Sequence, residues 1–538
     1  MSKCISCGGE LVFDIATQSL RCPFCEQKRD PRAYRDTGGT ADEKIIQEMD
    51  VYLYSCPQCG GSIYSAEESV NGFCSYCGSN VMISSRMAKM RYPRYVAPFR
   101  IDKESCKQNY LKYVKKAFFA PKEMRDPQYL DHFRGIYMSY WGYEVTLKGF
   151  ISLDGVKSLK VGRNVLTERY TCRGWLNAVY DNIFYDASSS FEDHFSEQIA
   201  PFDYNGLMEF TPAYLAGFYA DLPDLPDDVY LDNALQLAKE KAYAPSRLRK
   251  AFPGVQFDDA QGEKLGMVQD VYCSDSYTTF FPIWFLAYRN KDRVAYAVVN
   301  GQTGRIACDL PIDLPKFIIS GVALAAVIFL MLCARPPLPP YGLLVAGICF
   351  SLFSILLLMH MVQKVYLRKA KIYDKGYMSK TGQLNYKYVM KVESDKRLEE
   401  AEKKGLIPIV VAAVLICVPI YYRVFLSLYG GVGLITAILL CMVTEVVVLR
   451  NTLLIFKLDP DGKWKLLLGM WMIFLSSLYC LCLIVGRSAK VDDVYLAVFL
   501  QMIGTLIAQI MSIEQYNLLS TRPLPQLNRK GGDTNAQA

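Results

Sequence analysis

Residues 4–25 read CISCGGELVFDIATQSLRCPFC and residues 56–77 read CPQCGGSIYSAEESVNGFCSYC, two stretches with one spacing, Cys-x2-Cys-x14-Cys-x2-Cys. Cys4, Cys7, Cys22 and Cys25 form the first set, and Cys56, Cys59, Cys74 and Cys77 repeat it 52 residues on. A Cys-x2-Cys turn puts two sulfurs on one ion, and two such turns complete a tetrahedral site. Glycines just after the turns (Gly8 and Gly9, Gly60 and Gly61, Gly78) permit the positive φ that aims backbone N–H groups at thiolates; Glu26 stands there in the last turn of the first set. The strand-like pieces at residues 11–15 and 62–64 are too short to bury a core. Metal must therefore supply the folding free energy, on the order of 10 kcal/mol per site. The expected cofactors are two structural Zn²⁺ ions, and a site with four thiolates and no open position does no chemistry. Iron in a rubredoxin-like site uses the same donors and stays open as an alternative. Disulfides run against a reducing compartment, and a dithiol redox role lacks its βαβ context.

Outward from the cysteines, the N-terminal MSKCISCGGE has no apolar run behind a basic start, so no cleavable signal peptide is expected and the first module should lie in the cytosol. Residues 28–50 are polar, with Asp30-Pro31 and Gly38-Gly39, which predicts a flexible linker that lets the modules move independently. Residues 86–125 hold twelve Lys or Arg against Asp102, Glu104 and Glu123. Within them Cys106, Tyr110, Tyr113, Val114 and Ala117 recur at helical spacing behind a possible Asp102 N-cap, and Pro121 marks the end. Such a run is the solvated face of a packed helix, a contact for anionic membrane lipid, or a contact for nucleic acid. The first thirty residues carry four basic and four acidic groups, a poor balance for holding phosphates.

Residues 98–315 are mixed and rich in tyrosine. Strand-like alternation marks residues 135–152 and 166–180, and residues 280–288, 293–300 and 305–310 read as an antiparallel meander. Helices are predicted at residues 191–200, stopped by Pro201, and 229–244, stopped by Pro245. An α+β cytoplasmic domain is the expectation. No catalytic residues are assigned. His132, His194 and His360 are the only histidines, Asp193-His194 beside Ser188, Ser189 and Ser190 are sequence neighbours rather than a converging set, and no Walker loop occurs.

The chain's 538 residues are 51% apolar, and the long apolar runs all follow Lys316. Stretches near 316–334, 341–362, 406–422, 431–449, 465–485 and 494–513 each approach the ~20 residues that cross a bilayer, predicting an all-α multi-pass membrane domain of about six helices. Lys and Arg favour residues 364–404, 450–464 and the tail, so both termini are expected in the cytoplasm. Gln501, Thr505 and Gln509, with Gly504 and Ala508, read as a helix-packing face; His360 and Glu445 are the ionisable groups within the spans. The organisation expected is therefore zinc ribbons at 1–27 and 51–85, a linker at 28–50, a basic segment plus α+β domain at 86–315, a membrane domain at 316–513 and a tail at 514–538.

The ribbon pair together with IAPFDY (residues 199–204), YLAGFYAD (214–221), FFPIWFLAY (280–288) and VNGQTGRIACDLP (299–311) resembles a family of uncharacterised bacterial membrane proteins. That family, mainly from Gram-positive organisms, is described by a transcription-factor-IIB-type zinc ribbon. The resemblance implies this architecture at a bacterial cell membrane and carries no reaction. The function expected is a membrane-anchored scaffold or binding module for another macromolecule, an unknown protein partner. The alternatives are a nucleic-acid-binding membrane protein and a transporter or enzyme with an unrecognised site.

Overall fold

The computed structural model describes residues 4–33, 48–65, 74–79, 83–162, 164–257, 270–333, 460–486 and 490–525. The first cysteine module holds a small antiparallel sheet of β1 (Val12–Asp14), β2 (Ser19–Arg21) and β3 (Lys28–Arg29). Thirteen further strands make one large sheet. In chain order they are β4 (Glu48–Ser55), β5 (Ser62–Ser65) and β6 (Ile83–Arg91) around the second cysteine set, then β7 (Tyr95–Val96), β8 (Arg134–Val161), β9 (Asn164–Asp186), β10 (Met208–Glu209), β11 (Tyr219–Asp221), β12 (Gln256–Phe257), β13 (Asp270–Asn290), β14 (Arg293–Asn300), β15 (Ile306–Cys308) and β16 (Arg522–Pro523).

The spine of this sheet is β8, at 28 residues, flanked by β9 and β13 in long antiparallel register. Strands usually run about 3–10 residues. The tight β8–β9 turn pairs Val161 with Asn164 and uses Gly162 at φ +62. Where β13 is covered on both sides, its alternate residues feed two cores. Phe280, Trp284, Leu286 and Tyr288 point into one; Phe281, Ile283, Phe285 and Ala287 point into the other. That explains why 280–288 reads as an unbroken apolar run rather than an alternation. Each of these large side chains, fully buried, is worth about 1.5–3 kcal/mol.

The helix Lys103–Lys115 closes the first core through Cys106, Tyr110 and Val114, and Asp102 caps it by accepting from the Ser105 N–H at 3.0 Å. Tyr113 lies off that stripe, exposed. Helix Asp193–Ile199 closes the second core, and helix Leu231–Ala242 covers the base of the β8–β9 hairpin with Ala234 and Ala238 against Tyr143, Val145 and Leu147. The expected meander forms as β13–β14–β15, with the Asn290↔Arg293 pair closing on Lys291 at φ +54.

An all-α membrane domain of about six helices is overturned as the description of this fold. Among the described residues one helix, over Asp492–Leu518, is long and apolar enough to cross a membrane; Leu314–Ala323 and Leu467–Ser476 are shorter apolar helices. The stretches at 341–362, 406–422 and 431–449, with His360, Glu445 and the charged loop 364–404, lie outside the described residues. Apolar composition fixes neither the length of a helix nor what it packs on. Helix Pro460–Gly486 lies against helix Val491–Ser520, where a Cβ on Gly469 would fall 2.7 Å from the Ala508 Cα. Gln501, Thr505 and Ala508 are buried along helix Val491–Ser520, as a packing face requires.

The same correction reaches the ribbons. Strands β4, β5 and β6 belong to the large sheet, so the second cysteine module is no free-standing unit. Nor does the first move independently: the Phe13 N–H donates to the Ala216 carbonyl at 3.0 Å, and the Gln18 amide donates to the Phe99 carbonyl at 2.7 Å.

Candidate metal centres

Each cysteine set converges as its spacing demands, with four sulfurs within 4.8 Å of one another. Sulfur pairs stand 3.5 Å (Cys4–Cys25) and 3.4 Å (Cys7–Cys22) apart in the first set, and 3.6 Å (Cys56–Cys77 and Cys59–Cys74) in the second. A tetrahedron with ~2.3 Å metal–sulfur bonds has edges of about 3.8 Å, so both sets fit a thiophilic dication with small adjustment.

The turns that deliver these sulfurs are superimposable in their bonding. Gly8, Glu26, Gly60 and Gly78 N–H groups donate to the carbonyls of Cys4, Cys22, Cys56 and Cys74 at 2.7–2.9 Å. All four take φ between +60 and +73. Three are glycines, which adopt this conformation freely; Glu26 bears the cost of a Cβ there. Arg21 reaches across at 3.1 Å to pair with its carboxylate, both groups being exposed.

In each set two sulfurs lean toward thiolate and two toward thiol. The Cys7 and Ser6 backbone N–H groups hold Cys4 down at about 6, and the Cys25 N–H draws Cys22 down. The thiol of Cys74 holds Cys56 at about 6, and that of Cys59 holds Cys77 near 2. Although the Gly9 N–H draws Cys7 down, the thiols of Cys22 and Cys25 push it up to about 12. Sulfurs that share protons in this way are a donor set prepared for one cation.

The surroundings of the two sets differ. In the first, Cys4 and Cys22 are buried while Cys7 and Cys25 are exposed; in the second all four are buried. The second set packs with Tyr54, Ile63 and Tyr76, and Tyr52, Tyr219 and Leu524 close over it. The Tyr296 hydroxyl donates to the Tyr76 carbonyl at 2.7 Å. From the far end of the chain, Arg522 ion-pairs with Glu192 at 2.5 Å and with the fully buried Asp309 at 3.4 Å, and lies over the rings of Phe195 and Tyr296.

Among the described residues the histidines, His132 and His194, build no further metal centre. His194 is buried, and its neighbour Asp193 accepts from the Tyr230 hydroxyl at 2.6 Å. Ser188 and Ser189 donate instead to Asp221 and Asp224, at 2.6 and 2.7 Å. His132 sits edge-on to Tyr129 at 5.5 Å; burial first, then Arg134 and Lys103, lower its pKa.

One surface feature has no signal in the motifs. On the face of the β8–β9 hairpin away from helix Leu231–Ala242, Trp175 is 81% exposed and packs edge-to-face with Phe150 at 5.7 Å. Register brings Val179 and Tyr272, both exposed, to the same face through Thr146. The period-two alternation of β9 carries this information, but choosing the outer face requires knowing where the helix lies.

No family model matches the chain, and no solved structure is similar to it. It is similar to the uncharacterised protein YdjG of Bacillus subtilis (strain 168), 24% identical over 325 residues, which span 58% of this chain and 91% of that protein.

Proposed function

We propose that this chain is a membrane-anchored scaffold, stapled by two structural Zn²⁺ ions, that presents its sheet to another macromolecule at the cytoplasmic face of a bacterial membrane. The likeness to YdjG and the motifs above favour membership of the transcription-factor-IIB-type ribbon family. The observation that carries the reading is the exposed face of Trp175, Phe150, Val179 and Tyr272, four large apolar side chains on one side of the sheet with Lys148 and Asn177 between them, since exposing an aromatic pair such as Trp175 and Phe150 is a cost that a binding surface explains. Closed four-thiolate sites elsewhere in the fold argue for shape rather than reaction.

Placement supports the membrane role. The end of helix Val491–Ser520 meets the segment that leads into helix Leu314–Cys333, where Asn517 and the Ile312 backbone exchange two 2.7 Å hydrogen bonds. Strand β16 then pairs with β14, so residues 522–523 lie in the same sheet as the second ribbon's strands, which favours a cytoplasmic placement for both. Lys112, Lys115 and Lys116 are exposed on the basic helix. Just beyond, Phe119 packs on Phe317 at 5.3 Å and Lys316 bonds to the Phe118 carbonyl, at the foot of the first apolar helix. Anionic lipid is therefore the favoured contact of that segment, and nucleic acid the alternative.

A photo-crosslinking residue at position 175, in full-length protein in native membranes, should give a discrete macromolecular adduct. Trp175→Ser should cut recovery of that partner at least tenfold with zinc content unchanged. Equal recovery from the variant would sink the scaffold reading. For the lipid contact, neutralising Lys112, Lys115 and Lys116 together should weaken binding to anionic vesicles by about 1 kcal/mol per charge, and duplex DNA should not compete.

A further inference from the structure

A cavity of about 470 Å³ lies beside the second cysteine set, lined by Gly78, Tyr129, His132, Ala287, Arg289 and Lys291. Its lining brings together a guanidinium, an ammonium and an imidazole, with a phenol ring and no carboxylate among them. Lys103 and Arg134 stand close enough to His132 to add to the positive field. Asp131, the neighbouring acid in sequence, is held by Lys107 at 2.6 Å, which also pairs with Glu104 at 2.6 Å. Asp292 follows Lys291 in the turn, exposed.

The guanidinium is fixed in place. Arg289 donates through Nε to the Lys291 carbonyl at 3.0 Å and through Nη1 to the Gln58 side-chain oxygen at 2.9 Å. That leaves three of its five donors for a ligand. Gly78 gives it room: a Cβ there would stand 3.3 Å from the Arg289 Cβ. Gln58 lies between Cys56 and Cys59, and Gly78 follows Cys77, so both metal-binding turns of the second ribbon shape the cavity.

We propose that this cavity is a phosphate-binding site for a small phosphomonoester, either a soluble metabolite or a lipid headgroup. Arginine's planar fork matches two phosphate oxygens, Lys291 supplies a mobile point charge, and the ring of Tyr129 offers a wall for the organic group that carries the phosphate. The cavity exceeds what a phosphate fills and falls within the ~300–1,000 Å³ typical of small-ligand sites. The inference does not depend on the scaffold reading, since it concerns a different face and a different ligand.

The test uses full-length zinc-loaded protein in neutral-lipid nanodiscs, titrated with inorganic phosphate and AMP, and in parallel nanodiscs doped with phosphatidic acid. Saturable binding is expected in at least one arm, weakened at least tenfold by Arg289→Gln and by Lys291→Asn. Asparagine tolerates the positive φ at 291, so that variant should keep the wild-type melting temperature and two zinc ions. Binding of phosphate or AMP identifies a soluble ligand; binding of phosphatidic acid alone identifies a headgroup. Failure to saturate in every arm overturns the proposal. So does binding that both variants retain, or that only neutralisation of Lys112, Lys115 and Lys116 abolishes.

Discussion

The two cysteine sets share spacing, turn hydrogen bonds and backbone conformation, yet the first docks on the body through the side chains of Leu11, Phe13 and Leu20 while the second is built into the large sheet through its strands. Cys7 and Cys25 reach solvent, whereas Cys56, Cys59, Cys74 and Cys77 are all covered. Among the described residues the strands of the first module pair with one another alone; those of the second pair onward through β5 with β11, and β11 pairs with β8. Identical ligand chemistry thus serves a docked appendage in one case and a structural joint in the other, because the neighbours of a metal site decide what its loss would unfold.

The largest effect should come from breaking the joint. Cys74→Ser should lower bound zinc from two ions to one and expose the packing of Tyr76, Tyr219 and Leu524, with the large sheet losing cooperative melting, since such a site supplies on the order of 10 kcal/mol. Cys25→Ser should also leave one zinc, with a smaller loss of melting temperature that reflects only the docked side chains Leu11, Phe13 and Leu20, because the large sheet stays paired. Elemental analysis and calorimetry together check this pair, and equal melting losses would erase the distinction between joint and appendage.

Next in size is the strap that reaches the joint from the end of the chain. Arg522→Ala removes the ion-pair partner of the buried Asp309 carboxylate, which keeps the Tyr296 N–H, and takes the cation from the Tyr296 ring, so a loss of about 3–5 kcal/mol is expected by chemical denaturation. Cys25→Ser as background should leave that loss the same, while Cys74→Ser should shrink it through shared packing.

Chelation should separate the sets kinetically. A thiophilic chelator should remove zinc in two phases of equal amplitude, the fast phase from the site with two exposed sulfurs and at least tenfold quicker than the slow one. A single phase would mean that both sites open through one motion. The smallest effect belongs to the turn itself. Glu26→Gly should stabilise the first module by about 1 kcal/mol, because it relieves a side chain at φ +60, and should slow the fast phase only. Gly78→Ala, at φ +67 and against Arg289, should act in the opposite sense on the slow phase.

Much of the local structure could be read from residue order. The Cys-x2-Cys turns, the Asp102 cap with Cys106, Tyr110 and Val114 behind it, the β13–β15 meander and, of the Gln501–Thr505–Gln509 packing face, the buried Gln501 and Thr505 with Ala508 beside a half-buried Gln509, all follow from short spacings. Those are the intervals over which backbone geometry acts without help from distant chain. Tertiary structure alone decided that β4–β6 continue into the sheet, that Phe13 docks on Ala216, and that among the described residues one helix is long and apolar enough to cross a membrane. It also brought Arg289 to Gln58 across 231 positions of sequence and Arg522 to Asp309 from beyond the last helix. Such contacts depend on which strand edges and side-chain faces meet after the chain has collapsed, and a spacing rule carries no record of that meeting.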